Sequence, residues 1–104
     1  MCGIVAAASN RNVVPILLDG LTRLEYRGYD SAGIALADNN KVLRIRKQGK
    51  VAELHKAIKK QQNFKSTTGV AHTRWATHGE PSEINAHPHT SADDYSNNEI
   101  ALVH

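Results

Sequence analysis

This 104-residue chain has a single cysteine, Cys2. An intrachain disulfide is therefore excluded, and such sparse thiol usage fits a reducing compartment such as the cytoplasm. Aromatic residues are scarce as well, at 5% of the chain. None falls among the basic residues Arg44, Arg46, Lys47, Lys50, Lys56, Lys59 and Lys60. The stacking platforms of a single-stranded nucleic-acid binder are thus missing, and a solvated helix face with an edge strand explains the charges more simply. No apolar run approaches a membrane span, and the N-terminus lacks the basic segment and long apolar stretch of a signal peptide. There is no glycine-rich phosphate loop and no G-x-S-x-G turn. The net charge of +3 is too small to name a partner.

What is present begins at Cys2. A residue this small behind the initiator methionine normally allows Met1 to be removed, which would leave a thiol and a free α-amine on one residue. The thiol is mostly protonated at neutral pH, whereas an α-amine with a pKa near ~8 can accept its proton directly or through water. At a frayed terminus this pairing would mean little. Here Gly3-Ile4-Val5-Ala6-Ala7-Ala8 follows, an apolar run that reads as a buried strand over 2–8 and ties the thiol into the fold.

Val14, Leu17, Leu18, Leu21 and Leu24 recur at helical spacing and predict an amphipathic helix over about 13–25. Asn10-Arg11-Asn12 supplies polar residues ahead of it, and Pro15 is tolerated in a first turn. A second strand, 32–37, a turn at Asp38-Asn39-Asn40 and a third strand around Val42, Leu43 and Ile45 form a hairpin. Residues 51–61 read as a second helix, Gly69-Val70-Ala71 opens a fourth strand, and Ile100 to Val103 reads as the core of another. The order β-α-β-β-α-β predicts an α+β fold with mostly antiparallel strands. The stretch Thr77–Asn98 has little apolar periodicity, and such a long loop in a compact domain is usually functional or disordered.

Two segments carry further chemistry. Leu24 to Gly33 joins the first helix to the second strand and holds two glycines, Arg27 and Asp30. His72-Thr73-Arg74-Trp75-Ala76-Thr77-His78-Gly79-Glu80-Pro81 runs from a strand into a polar loop. Its arginine can grip a carboxylate bidentately, and a tryptophan at a strand end can close over a small ligand. The alternative for this segment is a surface ion pair beside an anchoring tryptophan. His72, His78, His87 and His89 raise the question of a metal. His87 and His89 are only two residues apart around Pro88, with no carboxylate or second cysteine at ligand spacing, so no metal is expected.

Taken together, Cys2-Gly3-Ile4-Val5, Arg27-Gly28-Tyr29-Asp30-Ser31-Ala32-Gly33 and His72 to Gly79 closely resemble the N-terminal glutaminase domain of the class II glutamine amidotransferases. These are N-terminal-nucleophile hydrolases, and the second and third segments match the glucosamine-6-phosphate synthase branch. The resemblance covers essentially all of the chain. It implies an α/β/β/α sandwich with mostly antiparallel strands, of which residues 2–104 would be the N-terminal part of a truncated type-2 amidotransferase domain. The sugar-isomerase part would be absent.

By the same resemblance, Cys2 attacks the glutamine amide carbon and its own amine acts as general base and acid. Arg74 holds the substrate α-carboxylate, while Trp75, Thr77 and His78 lie in a loop that closes over glutamine. Arg27 and Gly28 form a supporting turn. An Asn-Gly oxyanion pair would follow His104, and an aspartate for the substrate amine would come later still. Cofactors and metals are not implied. The implied partners are glutamine and, through the missing isomerase part, fructose 6-phosphate, in a cytoplasmic homo-oligomer without nucleic acid or membrane. The isolated chain would be marginally stable and inactive. Two alternatives remain: a glutamine-binding or regulatory fragment without turnover, and the glutaminase part of another class II amidotransferase.

Overall fold

The computed structural model describes residues 2–61, 63–91 and 100–104. Four strands, β1 (Gly3–Ala8), β2 (Ser31–Asp38), β3 (Lys41–Gln48) and β4 (Thr68–Arg74), form a sheet in the order β1-β4-β2-β3. Every pairing in it is antiparallel. The β2–β3 hairpin turns at Asn39 and Asn40, which take φ of 48° and 68°. Asparagine tolerates this left-handed region, and two such residues match the twist of a tight hairpin.

Residues three and four apart place Val14, Leu17, Leu18 and Leu21 on one stripe of α1 (Val14–Arg23). The helix is shorter than the spacing predicts, because residues Glu25–Arg27 tighten into a 3-10 turn. Ahead of it, Asn12 Oδ1 accepts from the Val14 and Ser66 amides, joining the helix start to the approach of β4. Helix α2 (Val51–Lys59) likewise stops short of residue 61 and buries Val51 and Leu54. Both helices cover the same sheet face, where Ala32, Ile34, Leu36 and Ala71 complete the core. Leu17, Leu21 and Leu54 have no exposed surface, and each contributes on the order of 2 kcal/mol by burial.

The first strand differs from expectation. It begins at Gly3, leaving Cys2 just ahead of it, and it is an edge strand that buries one face only. Gly3, Val5 and Ala7 point inward, while Ile4 remains 49% exposed. The terminal strand is also corrected. Only Ala101 and Leu102 are extended, as β6, and they pair with β5 (His89–Thr90), a two-residue strand that the loop reading missed. Leu102 and Ile100 are largely exposed, so these residues are not a core strand.

The second sheet face is covered differently. Residues 84–90 lie across β2 and β3, where Gly33 leaves the sheet bare. A Cβ built on Gly33 would stand 2.0 Å from the His87 carbonyl oxygen. Arg46 donates to the carbonyls of Ile84 and Ala86, at 2.9 and 3.1 Å, and Arg44 donates to that of Pro88 at 3.4 Å. The basic residues of β3 are therefore not simply a solvated face. Two of them anchor this segment. On α2, by contrast, Lys56 is exposed and pairs with neighbouring Glu53. Among the described residues no helix is long and apolar enough to cross a membrane.

Candidate active site

The antiparallel register brings distant sequence together at one end of the sheet. Gly3 pairs with Thr73, so Cys2 lies beside the exit of β4, and Ser31 pairs with Arg74. A cleft of about 300 Å³ opens there, at the small end of the range for ligand sites. Cys2, Arg74, Trp75, Thr77 and His78 all line it. Asn85, His87, His89 and His104 complete its wall, and among the described residues no Asp or Glu side chain does so.

Arg74 is only 8% exposed. Its guanidinium donates through Nη1 to the Glu80 carbonyl at 3.2 Å and through Nη2 to that of His78. Two of its five N–H groups thus fold the loop back on the strand that carries it. Gly79 allows this return by taking φ of 78°, and Asn85 Nδ2 adds a 3.0 Å bond to the same Glu80 carbonyl. Trp75 is half exposed at the rim. Arg27 closes the 3-10 turn rather than lining the cleft. Gly28 has φ of 76° and lies against the indole, since a Cβ there would sit 3.5 Å from the ring.

The histidines form a column instead of a ligand cage. The rings of His72 and His87 stack with centroids 4.4 Å apart, and His87 and His89 stand 4.4 Å apart at a tilt of 55°. Among the described residues no group of three or more His, Cys, Asp or Glu is placed to hold a metal. His72 is fully buried and its Nε2 donates to the His104 carbonyl at 2.8 Å. Its Nδ1 then has no hydrogen-bond partner among the described residues, and neither does His87 Nδ1. Burial, the neighbouring imidazoles and Arg74 push the His87 pKa down to about 4. Burial also lowers that of His72, with Arg74 adding to it. For His89 the causes are burial, then Arg46 and Arg44.

These rings are neutral in the folded chain at neutral pH, which sets a pH dependence. A folded pKa below the unfolded one favours the neutral form, so the stability it gives is complete above pH ~6.5. It is lost as pH falls from there towards about 4, where His87 titrates in the folded state. The thermal midpoint should fall through this window, and His87→Phe should flatten the slope while leaving that from other groups. Equal slopes for parent and variant would disprove the column's part in acid sensitivity.

Sequence reasoning missed Asn85, His87, His89 and His104 as wall residues: it weighed His87 and His89 only as metal ligands and did not consider Asn85 or His104. The available signal was Gly33, a glycine inside an apolar strand, which marks a close backbone approach without saying by what.

No family model matches the chain. It is, however, 63% identical over 105 aligned residues to the glutamine--fructose-6-phosphate aminotransferase [isomerizing] of Vibrio cholerae. Proteins of the same name from Shewanella oneidensis and Acinetobacter baylyi are 57% and 54% identical over 104 residues. In each comparison all of this chain is covered but only 16% of the relative. The chain thus spans about a sixth of the length of the curated relatives it matches.

Proposed function

We infer the function of this chain from the family to which it belongs, the glutamine--fructose-6-phosphate aminotransferases, and from the cleft at its N-terminal end. It carries the first part of their glutaminase unit, built on the α/β/β/α frame of the N-terminal-nucleophile hydrolases, of which the described sheet and two helices are one half. The whole protein takes glutamine and fructose 6-phosphate in the cytoplasm. The observation that carries this reading is the gathering of Cys2, Arg74, Trp75, Thr77 and His78 around one cleft.

The chemistry follows from those side chains. Once the α-amine of Cys2 is free, it takes the thiol proton, and sulfur attacks the amide carbon of glutamine. Collapse of the tetrahedral adduct breaks the C–N bond. The same amine returns its proton to the leaving nitrogen, releasing ammonia and a γ-glutamyl thioester. Water then hydrolyses the thioester to glutamate and restores the thiol. A cleft lined by Arg74 and by the neutral His87 and His89, and free of Asp and Glu side chains among the described residues, suits the substrate's α-carboxylate. Trp75 and Thr77, on a loop tied by Arg74, close over it. The test is mass spectrometry after exposure to an electrophilic glutamine analogue. Stoichiometric labelling at Cys2, suppressed by glutamine, supports an activated nucleophile. A thiol no more reactive than free cysteine would leave a glutamine-binding fragment as the better reading.

Arg74→Lys should raise the KM for glutamine ten- to a hundredfold. A lysine cannot reproduce the bidentate fork, and losing a charge-assisted contact costs about 1.5–3 kcal/mol. It would also release the carbonyl of His78 or Glu80, so the loop should become more sensitive to protease. Steady-state kinetics with limited proteolysis check both effects. An unchanged KM would return Arg74 to a purely structural role.

A further inference from the structure

We propose that Asp30 is a positioning residue that aims Trp75 at the cleft. The β2–β4 ladder ends at the Ser31–Arg74 pair. Beyond that rung the chain would be free to diverge, yet Asp30 holds both sides of Trp75. Its amide donates to the Arg74 carbonyl at 2.8 Å, and its Oδ2 accepts from the Ala76 amide at 2.7 Å. The tryptophan backbone is thereby clamped between two bonds to one residue. Its indole leans on Gly28, two positions before Asp30 in the same loop.

The clamp is itself held from behind. The Asp30 carbonyl accepts from the Gly49 amide at 2.8 Å. Next to it, the Tyr29 hydroxyl donates to Glu25 at 2.8 Å and accepts from the Val51 amide at 2.9 Å, at the start of α2. The loop 25–30 therefore transmits the fixed position of the helix to the strand exit. A functional side chain aimed this way depends on supporting contacts that it does not make itself. Asp30 does not line the cleft and touches no reacting group. Its other oxygen, Oδ1, is buried with no hydrogen-bond partner among the described residues. Burying that oxygen without a partner carries a desolvation cost.

The part of this proposal that concerns glutamine rests on the function inferred above, whereas the geometric part does not. Trp75 is the only tryptophan of the 104 residues. In the full-length protein, tryptophans outside this segment would be replaced by phenylalanine so that emission reports position 75. Asp30→Ala should increase acrylamide quenching of that emission and raise the KM for glutamine about tenfold, with a smaller change in kcat, as expected when ground-state positioning is lost. Asp30→Asn keeps an acceptor for the Ala76 amide and should restore both readouts to near the parent values. An alanine variant with native circular dichroism, unchanged quenching and unchanged KM would overturn the proposal. So would an asparagine variant that melts normally but shows a loosened Trp75, and this outcome decides the matter even where the alanine variant does not fold. Altered quenching in Asp30→Ala, where the parent itself never hydrolyses glutamine, would sustain the clamp while removing the inferred reaction.

Discussion

Replacing Cys2 by alanine should abolish glutamine hydrolysis in the full-length protein, with a loss of at least about 10⁴-fold in kcat, the scale seen when a covalent nucleophile is deleted. Glutamine should still bind, because Arg74, Trp75 and Thr77 line the cleft independently of the thiol. Serine should do little better, since a hydroxyl is far less ionised and the amine beside it is a weak base for that task. Ammonia release and calorimetric titration separate chemistry from binding. Blocking removal of Met1 should be as damaging as losing sulfur, because the Cys2 nitrogen then becomes a non-basic amide. Hydrolysis within tenfold of the parent in Cys2→Ala would end the nucleophile assignment. Full turnover with Met1 shown by intact mass to be retained would end the role of the amine.

Gly33→Ala should cost on the order of 3 kcal/mol, from overpacking and from strained hydrogen bonds to Arg46. One methyl group there would collide with the His87 carbonyl at 2.0 Å, and backbone cannot swing aside as a side-chain tip can. Residues 84–90 would have to lift. The Arg46 bonds to Ile84 and Ala86 would stretch, the His72–His87 stack would separate, and the cleft would lose Asn85 and His87 from its wall. Denaturant unfolding and glutamine turnover should therefore both decline. Gly20→Ala is the matched control. Its Cβ would meet both Val5 methyls at 2.9 Å, so Val5 must shift. An edge-strand side chain yields more readily than the His87 backbone, and alanine's helix propensity offsets part of the cost, so the loss should be smaller than at Gly33. Equal losses at the two glycines would show that the segment does not rest on Gly33.

The elements with strong local signals were legible from the chain alone. Helix α1 announces itself by the spacing of Val14, Leu17, Leu18 and Leu21, and the β2–β3 hairpin by the apolar run of its first strand, the interleaved basic residues of its second and Asn39-Asn40 between them. The antiparallel α+β class followed from the order of these elements. Less legible were properties that depend on what a segment meets. The run Ile4 to Ala8 is apolar throughout, yet it forms an edge with one bare face, because apolarity does not state how many neighbours a strand has. Arg44 and Arg46 look solvated by charge, but their acceptors are carbonyls 38 to 44 residues away. The lining of the cleft divides in the same way. Cys2 and the Arg74–His78 segment stand out by residue type, whereas Asn85 and His87 arrive only through the packing of a segment with no period. The calls on residues 92–98 of the long loop lie outside the described residues.

The register of β1 against β4 also governs where foreign polypeptide can be joined. Because Gly3 pairs with Thr73 while Ala8 pairs with Thr68, the two ends of the sheet are chemically unlike. One end holds Cys2, the strand exit and the cleft. The other holds the Asn39–Asn40 hairpin, whose tip is exposed and projects away from it. Any tag or carrier fused ahead of Cys2 therefore begins at the mouth of the cleft and acylates the one amine that the proposed chemistry needs. A fluorophore, epitope or surface-attachment peptide inserted at the hairpin tip sits at the opposite pole, separated from the thiol by the whole length of the sheet. The topology thus makes the terminus a poor handle and an internal loop a good one, the reverse of ordinary cloning habit.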